Sequence, residues 1–259
     1  MQNNNNTQPN KDQQEPTTEQ LAVADTPVPY ATQKPSKIKT ALANYFTAKR
    51  MAYLGVFVAL AMVLYNWASF TIPFFPSFLS FDFSNIPILL AGFMLGPVAG
   101  AIVVVARFLL KMPFSGTFFI GETSDLILGL TFVLISSIIY KYKRNFKWAV
   151  IGMSIGAAAM VIMAVIINRF FLVHIFVELL FDGNWNIVLG AVRVLHPAAT
   201  RETFFFYYIL FATIPFNLLT AVSTSAITLI LYKRLQKVVD HLIGRVHRQR
   251  KAKSDKKGE

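Results

Sequence analysis

The stretch MAYLGVFVALAMVLYNWASF, residues 51–70, contains no charged side chain and is long enough to cross a lipid bilayer. A transmembrane helix needs about 20 predominantly apolar residues to span the hydrocarbon layer. Trp67, near the end of the stretch, is a residue type enriched at the membrane–water interface. The stretch therefore predicts the first span of an integral membrane protein.

Apolar segments continue along the chain to residue 232. Two short ones, 86–95 and about 98–110, are separated by Gly96 and Pro97. Longer ones cover about 120–140, 148–174 and 204–232. Together with 51–70 these segments predict an all-α membrane protein, a bundle of six transmembrane helices within residues 50–235.

Two other segments do not read as regular spans. Residues 71–87, TIPFFPSFLSFDFSNIP, contain three prolines, which exclude a regular helix, and many phenylalanines. We expect a structured loop folded over the bundle. Residues 175–203 mix apolar and polar side chains, and the pattern leaves open whether they form a lid or an interfacial helix.

The two ends of the chain are polar. Residues 1–49 begin with Asn, Gln, Thr and Pro and finish in a basic cluster, which predicts a disordered, basic cytoplasmic tail. Residues 236–259 predict a second basic cytoplasmic tail, in which a helix precedes a frayed end. The net charge of +12 is explained by positive residues that flank membrane spans and contact anionic lipid, so it does not indicate nucleic-acid binding.

Positive charges also predict the orientation. Of the 25 Lys and Arg residues, six lie before the first span, four in the 141–147 loop and ten from Lys233 onward. Six spans place all three clusters on one side of the membrane, and short basic segments stay in the cytoplasm. We therefore expect a multi-pass plasma-membrane protein with both termini cytoplasmic.

The sequence offers little for catalysis. Cysteine is absent, no HExxH spacing occurs, and neither a nucleophile–base pair nor an ATPase motif is present. We expect no enzyme, no catalytic residue, no metal site and no cofactor. Uphill transport by such a chain needs an ion gradient or a partner protein.

Polar residues at membrane depth are costly and often mark a functional interior. Glu122 and Asp125 share one helix face, which suits acid–base work or a cation site, but acids at a helix start also cap it. Asn168 and Asn217 suit either a neutral heterocycle or bonds between helices. Thr220 serves either role, or compensates for Pro215 by satisfying a freed carbonyl.

The run FPSFLSFDFSNIPILLAGFMLGPVAGAIV, residues 75–103, resembles the riboflavin-specific S component of energy-coupling factor (ECF) transporters. That family has a Leu-x-x-Asp-Phe-Ser-Asp/Asn-x-Pro loop followed by Gly-Pro-x-Ala-Gly. IGETSDLILG, at the start of the fourth span, and IPFNLLTA, within the sixth, resemble two further family motifs. The matching loop residues are Leu79, Asp82, Phe83, Ser84, Asn85 and Pro87.

The resemblance implies a six-helix protein that captures a vitamin outside the cell, with riboflavin as transported ligand. It also implies two kinds of partner, a transmembrane coupling protein and two cytoplasmic ATPases. Gly55 and Ala59 match the small-residue motif that docks the coupling protein. The implied substrate-binding residues are Leu79, Asp82, Phe83, Asp125, Asn168, Asn217 and Thr220.

Two positions depart from the family pattern. Thr220 stands where the family has Lys, and Asp125 stands where it has Asn. These changes keep a second hypothesis open, the same fold with another vitamin, a nucleobase or a flavin nucleotide as solute. A third hypothesis is an ion-coupled secondary carrier that uses Glu122 and Asp125 as proton sites.

Overall fold

The computed structural model describes residues 47–73, 75–76 and 79–255, with side chains through residue 234. Residues 1–46 of the predicted N-terminal tail and the last four residues of the chain lie outside the described residues. The helices are α1 Ala48–Trp67, α2 Asn85–Leu95, α3 Pro97–Lys111, α4 Ile120–Lys143, α5 Phe146–Ile167, α6 Val173–Leu180, α7 Trp185–Leu195, α8 Phe204–Tyr208 and α9 Ile214–Asp255.

Within this described part, five helical segments are long and apolar enough to cross a membrane. Two of them contain a wider π-helical turn, at Asn168–Leu172 between α5 and α6 and at Ile209–Thr213 between α8 and α9. The spans are Ala48–Trp67, Pro97–Phe114, Ile120–Lys143, Phe146–Leu180 and Phe204–Arg234.

The sixth helix of the bundle is α2, which has 11 residues and is too short to cross the bilayer alone. Nine of those residues are buried, so α2 lies inside the protein rather than against lipid. It contacts α1, α3, α4 and α9. The predicted six-helix membrane bundle is therefore confirmed, with five spans arranged around one short central helix.

Helices α4 and α5 form the tightest pair, because glycines bring their backbones together. A Cβ atom on Gly152 would lie 2.6 Å from the backbone oxygen of Ser136. One on Gly156 would lie 2.9 Å from that of Phe132. Small residues permit this close approach in membranes, where burial from water does not hold helices together.

The described residues of the proline-rich loop, residues 71–87, are arranged around a short antiparallel ladder. Strand β1, Phe70–Thr71, pairs with β2, Ser80–Phe81, and Phe70 lies opposite Phe81. The loop reaches α9 through the ring of Phe75, whose centroid lies 5.4 Å from that of Phe216.

Residues 175–203, which the sequence left open, complete α6 at the end of the span Phe146–Leu180 and then form α7, which packs on the outer part of the bundle. Val188, Leu189 and Val192 of α7 share a hydrophobic cluster with Tyr208 and with the loop residue Leu79. The structure therefore contains an additional helix here, next to the proline-rich loop.

The opposite end of the bundle, which we call the basic end, is where α4 passes into α5. Tyr140 and Tyr232 hydrogen-bond each other through their hydroxyls, and both rings contact Phe93. Lys233 lies 4.2 Å from the centre of the Phe146 ring. Beyond this point α9 continues without a break to Asp255, so the predicted C-terminal helix is one helix with the last span.

Candidate solute-binding site

A polar cavity of about 280 Å³ lies at the end of the bundle away from the basic end. Its size is just below the roughly 300–1,000 Å³ typical of small-molecule pockets. Its wall is built from the β1–β2 loop, the end of α3, the start of α4, the end of α5 and the start of α9. We call it the polar cavity.

Six of the seven predicted substrate-binding residues line the polar cavity, although they come from four separate parts of the chain. They are Leu79, Asp82, Asp125, Asn168, Asn217 and Thr220. Phe83 is the exception, because it packs on Phe81 with ring centroids 5.1 Å apart and joins the central core. Whether the six contact a ligand remains a prediction.

Arg107 ties the loop to α4 from behind the cavity wall. Its side chain is 1% exposed, and one of its two terminal nitrogens lies 3.0 Å from the Asp125 carboxylate. The other donates to Ser84 and, at 3.3 Å, to Asn85. A buried guanidinium is tolerated when it is paired and hydrogen-bonded in this way.

Lys111 is a cavity residue that the sequence analysis did not select. Its ammonium donates to Asp125 at 2.7 Å and lies 3.9 Å from the centre of the Tyr65 ring. The lysine is 5% exposed and lines the cavity. The sequence did contain one indication of its role. Lys111 directly follows the apolar segment 98–110, and a cation buried there needs an acidic partner.

Asp125 thus carries two cationic partners, which accounts for an acid at this depth. Ser84 supplies the connection back to the loop, since Asp82 accepts hydrogen bonds from both the backbone N–H and the hydroxyl of Ser84. Asp82, Arg107, Asp125 and Lys111 therefore form one network with two negative and two positive groups. This network is electrically balanced.

Glu122 has separate partners and does not bond Asp125. Its carboxylate accepts hydrogen bonds from the hydroxyls of Ser115 and Thr117, both at 2.8 Å. It stands in the first turn of α4, where an acid is favourable, so the capping interpretation agrees with its position. Glu122 and Asp125, the proton sites of the carrier hypothesis, therefore belong to two separate hydrogen-bond networks.

The two π-helical turns meet beside the cavity. Asn168 begins the first turn and accepts a hydrogen bond from the hydroxyl of Tyr208, which precedes the second, at 2.8 Å. Such turns widen a helix and occur frequently at functional sites. The second turn ends before Pro215, which lacks the N–H that a regular α-helical bond would use.

The polar groups of the last three cavity residues are partly engaged by their own helices. Each side chain donates to the carbonyl four residues earlier. The pairs are Asn168 with Ala164 at 2.8 Å, Asn217 with Thr213 at 2.8 Å and Thr220 with Phe216 at 2.9 Å. The expected Thr220 donor is therefore directed to the backbone, and the carbonyl it satisfies is Phe216, not one freed by Pro215.

A larger hollow of about 580 Å³ lies between the outer parts of α4 and α5. Its lining is nearly all apolar, with Thr123 and Ser124 as the polar side chains. Exposed residues such as Ile166, Phe171 and Leu179 belong to its wall. An apolar hollow of this kind offers no hydrogen bonds for recognising a polar solute, so the polar cavity is the better candidate.

The predicted docking residues lie outside the cavity. Gly55 and Ala59 are both exposed on α1, and a Cβ atom built on Gly55 would meet nothing within 4 Å. Only Leu54 and Ala61 of the 20 residues in α1 are buried, so most of this helix faces outward. Its role in docking remains a prediction.

These features define a class: a helical membrane protein with a polar cavity within the bundle, suited to holding a small solute. A family model described as "ECF transporter, substrate-specific component" matches residues 49–232. The chain belongs to this family, and it is a membrane transport component.

Two named relatives and one solved structure are similar. The riboflavin transporter RibU of Staphylococcus aureus (strain TCH60) is 33% identical over 187 residues, 72% of this chain and 90% of RibU. The riboflavin transporter FmnP of Bacillus subtilis (strain 168) is 23% identical over 191 residues, 73% and 92% of the two chains. The structure described as "Structure and mechanism of the S component of a bacterial ECF transporter" matches with TM-score 0.57 and 31% identity, over 74% of this chain and 97% of that one.

Proposed function

We propose that this chain captures riboflavin, or a closely related flavin, on the outer side of the membrane and holds it in the polar cavity for uptake. The observation that carries the proposal is the cavity itself, which gathers six separately predicted residues in a chain similar to two riboflavin transporters. The chain supplies binding, and the energy for release inward comes from an ATPase module.

The cavity offers complementary surfaces to a flat heterocycle with one polar edge. Asn168 and Asn217 each keep one amide N–H beyond the bond to their own helix, and amides can both donate and accept. Phe216, Phe176 and Leu79 provide apolar surface for the ring faces. The Phe75 and Phe81 rings of the loop pack around Phe216 and cover this side.

Riboflavin binding to the purified chain tests the proposal directly, because binding quenches flavin fluorescence. We expect tight binding by the unaltered chain and a loss of about tenfold for Asn217→Ala, from one hydrogen bond to a buried ligand. Asn66→Ala is the matched control. Asn66 makes the same bond to the carbonyl four residues earlier, at 2.9 Å, but is exposed on α1.

A folded chain that does not bind riboflavin would contradict the proposal. Competition with other vitamins, nucleobases and flavin nucleotides would then identify the solute class. Equal losses for Asn217→Ala and Asn66→Ala would place the flavin elsewhere in the molecule.

The proposed orientation has the basic end in the cytoplasm and the polar cavity outside. Tyr142, near the basic end, is 81% exposed, and Asn186, at the start of α7, is also exposed. The chain has no cysteine, so single cysteines can be introduced without background. In intact cells an impermeant maleimide should label Asn186→Cys and spare Tyr142→Cys; the reverse pattern would invert the orientation.

The proposed partners are a transmembrane coupling protein and two cytoplasmic ATPases, docked through the small residues of α1. A bulky side chain at Ala59 should therefore block co-purification with the coupling protein and leave riboflavin binding intact. Ala158→Trp is the control, since Ala158 is exposed on α5. Co-purification of Ala59→Trp at the level of Ala158→Trp would exclude this surface as the docking site.

A further inference from the structure

The polar cavity has few side-chain donors that are not engaged by the protein. Asn168, Asn217 and Thr220 each direct a donor to their own helix. Thr220 has a single hydroxyl proton, so it can offer a ligand an acceptor only. The two amides keep one N–H each, so a ligand with more than two acceptor atoms needs a donor from another part of the wall.

Lys111 is the charged donor of this wall. An ammonium carries three N–H groups. Within the described residues Lys111 gives one hydrogen bond, to Asp125 at 2.7 Å, and its charge lies 3.9 Å from the centre of the Tyr65 ring. The remaining donor capacity belongs to a side chain that lines the cavity. Among the described residues that line the cavity, Lys111 is the one with a positive charge.

The charges in the network around Lys111 indicate which kind of ligand atom can accept a hydrogen bond from it. Asp125 is shared between Lys111 and Arg107, and Arg107 is connected through Ser84 to Asp82. The two acids and two bases of this network balance one another, and the wall carries one further acid, Glu122, so it does not attract an anionic ligand. Its complement is a neutral, electron-rich oxygen, for which a charged donor forms a hydrogen bond stronger than a neutral one does.

Resting on the proposed function, we propose that Lys111 determines specificity by donating a hydrogen bond from its ammonium to a ring carbonyl oxygen of the bound flavin. The flavin ring system has two conjugated carbonyls on its pyrimidine edge, and these are the neutral acceptors that the wall fits. Asp125 pairs with the ammonium and holds it in place, while the Tyr65 ring limits its movement.

The test compares riboflavin with analogues in which one ring carbonyl is a thiocarbonyl, a weaker acceptor. Lys111→Met should weaken riboflavin binding about 10- to 100-fold, as expected for loss of a charged hydrogen bond. It should weaken binding of one of the two thio-analogues much less. Lys143→Met, the control, removes a lysine that also lies over an aromatic ring, Trp148 at 5.6 Å, near the basic end.

The outcomes separate the two proposals. Absence of riboflavin binding by the unaltered chain would remove the proposed function, whereas binding unaffected by Lys111→Met would overturn the role of Lys111 alone. Equal losses for riboflavin and both thio-analogues would assign Lys111 a purely structural role and also overturn it.

If Lys111→Met does not fold, the double variant Lys111→Met with Asp125→Asn replaces it, because it removes the carboxylate together with the ammonium. The absorption band of bound riboflavin gives an independent readout. We expect it to shift between the unaltered chain and the lysine variant, since the charge at the ring carbonyl is lost. An unchanged band would contradict the contact.

Discussion

The two ends of this bundle are held together in different ways. At the basic end the helices meet through aromatic rings and a tyrosine pair, Tyr140 and Tyr232. At the cavity end they meet through a charged network around Arg107 and through two π-helical turns. The basic end is packed as a scaffold, while the cavity end keeps polar groups buried beside a space that a solute can enter.

This difference predicts which substitutions should affect both stability and riboflavin binding and which should affect stability alone. A buried charge inside a membrane protein destabilises the fold unless it is paired. At the cavity end the paired groups also form or support the cavity wall, so removing one of them should change both stability and binding. Packing contacts at the basic end have no such connection to the ligand. Variants at the two ends should therefore give different combinations of unfolding temperature and riboflavin affinity.

The largest effect is expected for Arg107→Met. The substitution leaves Asp125 with one cation instead of two and removes the N–H that donates to Ser84 and Asn85. Breaking a buried charge pair costs about 3–5 kcal/mol, so thermal unfolding in detergent should occur at a much lower temperature and riboflavin binding should be lost.

Two further variants control this experiment. Arg169→Met should have little effect, because Arg169 is exposed and rests on the Phe205 ring at 4.3 Å without an acidic partner among the described residues. Adding Asp125→Asn to Arg107→Met should restore part of the stability. If Arg107→Met unfolded like Arg169→Met, the network would not contribute to the fold.

The sequence was sufficient to predict the bundle because its apolar segments are long and its charges are grouped. Hydropathy, however, describes each segment separately and contains no information on how the segments pack together. Asn85–Leu95 lies below the length of a span, and its place at the centre of the bundle depends on packing by four neighbouring helices. The length of the segment alone could not reveal that role.

The candidate site was predicted unevenly for the same reason. Family motifs selected six residues that the fold brings to one cavity. Lys111 was missed, because its pairing with Asp125 joins two different helices and no local spacing encodes it. The backbone bonds of Asn217 and Thr220 depend on the helix geometry after the π-helical turn, which the sequence pattern does not show.

A smaller effect, on stability alone, is expected for Gly156→Ala. The added Cβ would overlap the Ser136 hydroxyl and lie 2.9 Å from a backbone oxygen of α4, so α4 and α5 must separate. Overpacking of this kind costs about 1–3 kcal/mol. The unfolding temperature should fall, while the further stabilisation caused by saturating riboflavin should stay the same.

Gly190→Ala is the matched glycine variant, since nothing lies within 4 Å of its added Cβ in α7. It should be neutral or slightly stabilising, because alanine is the better helix former. A large loss of riboflavin affinity in Gly156→Ala would show that the α4–α5 contact controls the cavity as well as the scaffold.

An effect mainly on binding is expected for Tyr208→Phe. The hydroxyl of Tyr208 donates to Asn168 and so orients an amide at the cavity wall. Losing one such bond costs about 1 kcal/mol, so riboflavin affinity should fall several-fold. Tyr207→Phe is the control, because Tyr207 contacts His196 and Phe211 through its ring. Similar affinities for the two variants would remove Asn168 from the proposed site.

The smallest effect is expected at the basic end, for Tyr140→Phe. The ring remains to pack on Phe93, with centroids 4.6 Å apart, and only the hydroxyl contact with Tyr232 is lost. The free energy of unfolding should therefore fall by about 1 kcal/mol or less, with riboflavin affinity unchanged. Tyr142→Phe, at an 81% exposed tyrosine, sets the baseline. A loss of affinity in Tyr140→Phe alone would mean that the two ends are energetically coupled, because that hydroxyl lies at the end of the bundle opposite the polar cavity.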